Sequence, residues 1–253
     1  MPWTFSHPAV VFPIKHSFLG KWLSLPAMIL GSLSPDLLYS FGLYQLASEA
    51  HHVVGWLSIG LPLCFIIYAI ILKLAAPLST VIPFVIKKSP RWSIRDIGIR
   101  NIAILAISFF IGALTHIVWD SFTHDTGTMV RSWSFLQFNL SMTDKQEIAI
   151  YKILQHSGSL LGLLYLSYQY WRYYRKQTQI QQHIDKQKLK KIMGIGAISA
   201  LFALPIAYYL TPKLPNFHFN RFVYLELTMT VPFFFGGLVI YGVWAYFYQR
   251  RQL

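Results

Sequence analysis

Residues Val53–Ala76 read VVGWLSIGLPLCFIIYAIILKLAA, a run of 24 residues in which Lys73 is the one charge. About 20 predominantly apolar residues carry a helix across a bilayer, and a helix apolar on every side has no water-facing surface to offer. Two further stretches read the same way, Ile192–Leu210 and Met229–Tyr246. Another two are plausible spans with polar groups at one end: Asn101–Trp119, which runs into Asp120, and Ser157–Trp171, which is short and exits through aromatic residues. Trp22–Leu33 holds only about a dozen residues, the length of a buried or re-entrant helix rather than a span. The pattern predicts an all-α, polytopic integral membrane bundle of about five or six membrane segments, one of them open to a re-entrant reading. The whole of 1–253 reads as a single membrane-embedded domain, with the chemistry-bearing motifs in 1–171 and an accessory pair of spans in 172–253.

Composition agrees. Of 253 residues, 55% are hydrophobic and 12% charged, against roughly 25% charged in a soluble domain. A disordered chain is excluded, because disorder needs low hydrophobicity and high charge. The single cysteine, Cys64, excludes an internal disulfide and a thiolate zinc site, so any metal must rest on imidazole and carboxylate.

The net charge of +13 is unevenly placed. Lys87, Lys88, Arg91, Arg95 and Arg100 form one group; Arg172, Arg175, Lys176, Lys186, Lys188, Lys190 and Lys191 a second; Arg250 and Arg251 a third. Alternate connections put all three on one side, and the positive-inside tendency makes that side cytoplasmic, the C-terminal end included. Asp36, Glu49, Asp125, Asp144, Glu147 and Glu226 fall in the intervening segments, which are expected to face outward across a bacterial cytoplasmic membrane. The lysine-rich run at 186–191 abuts a span. It therefore reads as a juxtamembrane stop with some attraction for anionic lipid rather than a nucleic-acid patch. No secretory signal is visible around Met1-Pro2-Trp3. Gly194-x-Gly196 follows no strand and is not a nucleotide fingerprint, while Gly158-x-x-x-Gly162 reads as a close helix approach.

Ionisable groups near membrane depth raise a functional hypothesis by default. His116, Asp120 and His124 recur every four residues, one stripe on a continuous helix. Imidazole with carboxylate suits zinc or another divalent first-row ion, and the central carboxylate can bridge two. The plainer alternative is a polar helix end with imidazoles reaching for the interface. Gly31-Ser32-Leu33-Ser34-Pro35-Asp36 ends a short apolar helix in a turn that fixes one carboxylate, as a ligand or merely a cap. His51-His52 precedes the Val53 span, and His7 stands in Ser6-His7-Pro8. Two arrangements of the first segment are open. A hairpin turning at Gly20-Lys21 brings His7 and Asp36 together and leaves Lys15 and Lys21 at its inner end, whereas a full span at Trp22–Leu33 separates them.

Read in order, Ser6-His7-Pro8-Ala9, Gly31-Ser32-Leu33-Ser34-Pro35-Asp36, His51-x-x-x-Gly55 with Leu61-Pro62-Leu63, the run from Gly112 to His124, and Leu154-Gln155-His156-x-Gly158-Ser159 resemble a bacterial membrane family, domain-of-unknown-function family 4184. The resemblance covers roughly residues 2 to 250. That family is similar to membrane-bound metal-dependent hydrolases, and more distantly to zinc-dependent phospholipase C and single-strand nucleases. The resemblance implies one zinc site from Asp36, His51, His116 and Asp120. It also implies that Asp120 bridges to a second ion with His7, and that His124 and His156 match the remaining histidines. His52 stands where a small polar residue is expected, which favours His51. The short Asp120–His124 spacing and Leu160 in place of a glutamate after His156 argue against a third ion.

The function expected on these grounds is a zinc-dependent hydrolase, with one or two ions, cleaving a phosphoester of a lipid or lipid-linked substrate. Asp120 would bridge, and Asp36 would ligate or take a proton from water. Its partners would be membrane lipids and not nucleic acid. The alternative from another class is a non-catalytic protein that binds or transports metal. Asp125–Glu147 reads as an outer loop, a connector or a cover for the site.

Overall fold

The computed structural model describes residues 4–82, 98–143, 146–178, 186–211 and 218–250. Lys87, Lys88, Arg91, Arg95, Asp144 and Arg251 of the charge pattern lie outside them. So do Met1, Pro2 and Trp3 of the leader reading.

A 3-10 turn (Thr4–Val10) leads into α1 (Val11–His16), a second 3-10 turn (Leu19–Trp22) and α2 (Leu25–Leu37). After α3 (Tyr44–Ala50), α4 (Val53–Gly55) passes through a π-helical turn (Trp56–Gly60) into α5 (Leu61–Leu78). The longest apolar helix of the first half is α6 (Ile99–Thr123), followed by the short α7 (Thr128–Ser132) and α8 (Ser134–Gln137). A two-stranded antiparallel hairpin, β1 (Asn139–Thr143) with β2 (Gln146–Ala149), pairs Leu140 with Ile148. Three long helices close the chain: α9 (Ile150–Thr178), α10 (Lys186–Leu210) and α11 (Phe219–Arg250).

The architecture is the expected helical membrane bundle, with a slightly lower count of spans. Among the described residues, four helices are long and apolar enough to cross a membrane: Val53–Leu78, Ile99–Ser132, Lys186–Leu210 and Arg221–Tyr248. The expected fifth, Ser157–Trp171, lies inside α9, whose Gln155, Gln169, Arg172 and Arg175 keep it too polar to join them. The segment read as an outer loop after Asp125 is folded into α7, α8 and the hairpin. The basic residues 172–176 and 186–191 are helical too, because α9 and α10 continue beyond their apolar cores. Large apolar side chains are exposed along the spans, among them Ile66, Ile107, Ile198, Leu201, Ile240 and Trp244. In water such a surface would drive association; against acyl chains it is the expected exterior.

Two compact units divide the chain. The first comprises Met1–Leu38, Tyr44–Tyr68 and Ile97–Tyr173, the second Tyr39–Leu43, Ala69–Asp96 and Tyr174–Leu253. In the second, α10 packs on α11 through Gly237 beneath Ile195 and Ser199, and Phe202 stacks on Phe233. Tyr241 meets Thr80 at 3.2 Å.

The first unit is organised by α2 and α6. Ser24 N donates to Ser108 Oγ (2.9 Å) and His116 Nδ1 donates to the Ser32 carbonyl (2.7 Å). Gly112 faces Met28 and Ser32. Position i of α2 therefore lies beside position i+84 of α6, and the two helices run parallel. Two glycines permit the closeness. A Cβ on Gly31 would collide with the Phe109 carbonyl, and one on Gly112 with the Met28 carbonyl. Gly158 and Gly162 of α9 serve similar approaches, to the Trp119 ring and to Ser6.

Proline chemistry shapes the end of α2. Pro35 has no N–H for the carbonyl four residues back. That carbonyl belongs to Gly31, and it accepts the Ser34 hydroxyl instead (2.7 Å). Ser34 Oγ in turn accepts the indole N–H of the fully buried Trp56 (2.7 Å). Trp56 opens the π-helical turn, and its ring lies over Gly60, where a Cβ would collide with it. The Ser-Pro pair thus locks the exit of α2 to the start of the Val53–Leu78 span.

Candidate metal centre

Asp36 arrives on the last turn of α2, His51 just after α3, and His116 and Asp120 on successive turns of α6. The i+84 register places Asp36 level with Asp120. One ligand atom from each of these four residues lies within 4.8 Å of every other. His51 Nε2 is 3.2 Å from Asp36 Oδ1 and 3.7 Å from Asp120 Oδ2. His116 Nε2 is 3.2 Å from Asp120 Oδ2 and 3.7 Å from Asp36 Oδ1.

The imidazoles are held from behind. His51 Nδ1 donates to the Ala47 carbonyl (2.7 Å) and His116 Nδ1 to that of Ser32. A carbonyl can only accept, so both Nδ1 atoms carry hydrogen and both Nε2 atoms point at the carboxylates. Metal-binding histidines are oriented in this way. Asp36 is fixed as well, its Oδ2 accepting the Thr4 hydroxyl at 2.6 Å.

Two carboxylates and two ring nitrogens converging at 3.2–3.7 Å need positive charge between them. The longer of these contacts exceed hydrogen-bond range. A cation about 2.0–2.2 Å from each tetrahedral ligand sets neighbouring ligand atoms about 3.3–3.6 Å apart, close to the spacing observed. The donor set fits a divalent ion. His116 is fully buried, and its Nε2 makes no hydrogen bond among the described residues.

His7 lies at the edge of this cluster. Its ring stacks on His116 with centroids 3.8 Å apart, and its Nε2 is 3.7 Å from Asp120 Oδ1. Neither of those two atoms makes a hydrogen bond among the described residues. Burial, with the His116 ring alongside, lowers the His7 pKa to about 4, leaving the imidazole neutral at ordinary pH. Burial pushes the Asp36 carboxyl up, but His116, His51 and the Thr4 hydroxyl outweigh it and hold the group below its usual range. His124 Nδ1 is 3.5 Å from Asp120 Oδ1. Asp120 therefore shows one oxygen to His51 and His116 and the other to His7 and His124.

The structure does not bring His156 into this group. It is exposed on α9, and its buried neighbour Gln155 reaches His124 instead, 3.5 Å from Nε2. His52 is also exposed. Of the two arrangements open for the first segment, the hairpin is the one observed, since His7 and Asp36 meet at one centre. Thr4, Gln155 and the Ser32 and Ala47 carbonyls are parts of the site that sequence reasoning missed. Carbonyl partners leave no trace in a sequence, Thr4 stands in no motif, and Gln155 stands in one only as the neighbour of His156.

A helical membrane bundle with a buried Asp-His-His-Asp group able to hold a cation is the class these observations define. The chain belongs to the DUF4184 family, a domain of unknown function, whose match covers residues 1–245. No curated protein and no solved structure matches it.

The adjacent histidines give a direct check. His51→Ala should lower the bound-ion content of the purified protein well below one per chain, whereas His52→Ala should leave it unchanged. Elemental analysis of both variants reads the difference.

Proposed function

We propose that the protein is a membrane-bound, metal-dependent hydrolase acting on a phosphoester of a lipid or lipid-linked substrate, with zinc as the resident ion. The observation that carries this reading is the pair of imidazoles, each held through Nδ1 by a main-chain carbonyl with its Nε2 aimed at two carboxylates. A divalent ion, when bound, supplies Lewis acidity and activates water near neutral pH. Asp36, His51, His116 and Asp120 would hold it. Asp120, His7 and His124 would be the residues to hold a second, Asp120 then being shared between the two. Asp36 would be the carboxylate to take a proton from water.

Two features favour a lipid over a soluble ester. His116 and Asp120 occupy the last two turns of α6, which puts the centre at the end of a span. Directly beyond it, Trp133, Phe135 and Phe138 are 54%, 68% and 60% exposed, the aromatic signature of a membrane–water boundary. The zinc-loaded protein in mixed micelles should cleave a member of a panel of phospholipids and lipid phosphates, and chelation should abolish turnover. Retention of the ion with no turnover on any of them would favour the non-catalytic metal-binding reading.

A further inference from the structure

We infer that Val11–Leu37 is a re-entrant hairpin that enters and leaves the bilayer on the face of the metal centre, with its turn resting inside the hydrocarbon. The register of α2 on α6 sets the depth of the turn. Ser24, where the returning arm begins, lies beside Ser108 of α6. Ser108 is 12 residues from Asp120 and 10 from Gly98, about 18 Å and about 15 Å along a helix rising ~1.5 Å per residue. Ser24 is thus well inside the span from either end. The other arm runs back from the turn to His7, which is again at the centre. Both arms share one face, and neither crosses.

The turn is built for a place without water. Backbone inside a bilayer must find its partners within the protein. Lys15 Nζ donates to the carbonyls of Gly20 (2.8 Å) and Leu23 (2.7 Å). Ser17 Oγ donates to the Ile14 carbonyl (2.7 Å). The amides of Ser17, Gly20 and Leu23 donate to carbonyls of the same turn, and that of Ser24 to Ser108. A Cβ on Gly20 would strike the Ile14 and Lys15 carbonyls, so the arms close tightly. Beyond these bonds the turn presents Phe18, Leu19 and Trp22, which are 76%, 70% and 64% exposed. The occupant these side chains fit is the acyl chain of a phospholipid. Lys21 is the second cation of the turn. It lies 5.6 Å from the Phe18 ring centroid, and its flexible stem can carry the ammonium toward the far headgroups.

The test needs neither metal nor turnover, so it stands or falls apart from the hydrolase reading. In a Cys64→Ala background, single cysteines replace Leu19, Trp22 or Asp125, the last an exposed residue just beyond α6. Each protein is reconstituted in sealed vesicles of phosphatidylethanolamine and phosphatidylglycerol at 3:1. Asp125→Cys should react with a membrane-impermeant maleimide from one face only. Leu19→Cys should react from neither face, yet react fully once the vesicles are dissolved. A bimane attached there should be quenched by lipids bearing a nitroxide on the acyl chain. Labelling of position 19 from the face opposite Asp125 would mean the segment crosses, and labelling from the same face would mean the hairpin lies outside the bilayer. Either result overturns the inference, and Trp22→Cys repeats the measurement if the Leu19 variant fails to fold.

Discussion

Asp120→Asn should empty the metal centre while leaving the helical bundle folded. The carboxylate contacts all four imidazoles of the group: Oδ2 faces His51 and His116, and Oδ1 faces His7 and His124. No other side chain in the site touches as many. An amide of the same shape keeps the α6 surface intact but removes the negative charge that balances a cation. Loss of an outer partner to a metal ligand typically lowers affinity about 10–100-fold, so loss of this carboxylate should exceed that range. Elemental analysis after purification, and zinc titration of stripped protein, read the effect directly. Circular dichroism should show unchanged helix content, and under the proposed hydrolase function phosphoester turnover should fall to background. Wild-type zinc affinity in the variant would refute Asp120 as a ligand.

Gly31→Leu should cause a large loss of stability in the first unit. The obstacle to a side chain at this position is the Phe109 main chain, which cannot rotate away as a side chain can. Overpacking a well-filled interior costs about 1–3 kcal/mol when neighbours can shift. Here α2 would have to move as a body, and it carries Asp36 and the Ser32 carbonyl away from His116. Expression should collapse, and any folded fraction should bind zinc poorly. Gly42→Leu is the comparison: Gly42 meets nothing within 4 Å, but its φ of +74° adds backbone strain. A milder loss is therefore expected there. Gly31→Ala should fall between wild type and Gly31→Leu in melting temperature, read by static light scattering during heating.

Much of this fold was legible because membrane spans announce themselves by length and hydrophobicity. The Val53, Asn101, Ile192 and Met229 stretches each correspond to one of the four membrane-length helices. The 157–171 stretch misled because its apolar core is embedded in a longer helix rich in Gln, Tyr and Arg. The candidate ligands were legible by residue type, and Asp36, His51, His116 and Asp120 indeed lie within reach of one another. Local order along the chain did not say which of two neighbouring polar residues turns inward. At 51–52 a family pattern pointed to the inward residue. At 155–156 histidine looked more like a ligand than glutamine, yet the helix turns Gln155 toward His124 and leaves His156 outside. The β1–β2 hairpin escaped notice because Asn139–Thr143 alternates polar and apolar residues over only five positions and Gln146–Ala149 does not alternate.

The side-by-side alignment of α2 with α6 makes spacing as decisive as chemistry. One residue added between Gly31 and Asp36 would swing the carboxylate about 100° around its axis, off the seam and away from His116, though every ligand remained in the chain. The stretches 24–36 and 108–120 are therefore tied to equal length, like two scales that must be read against each other. A chain that carries all four ligands but breaks this equality would keep the letters of the site and lose its cation.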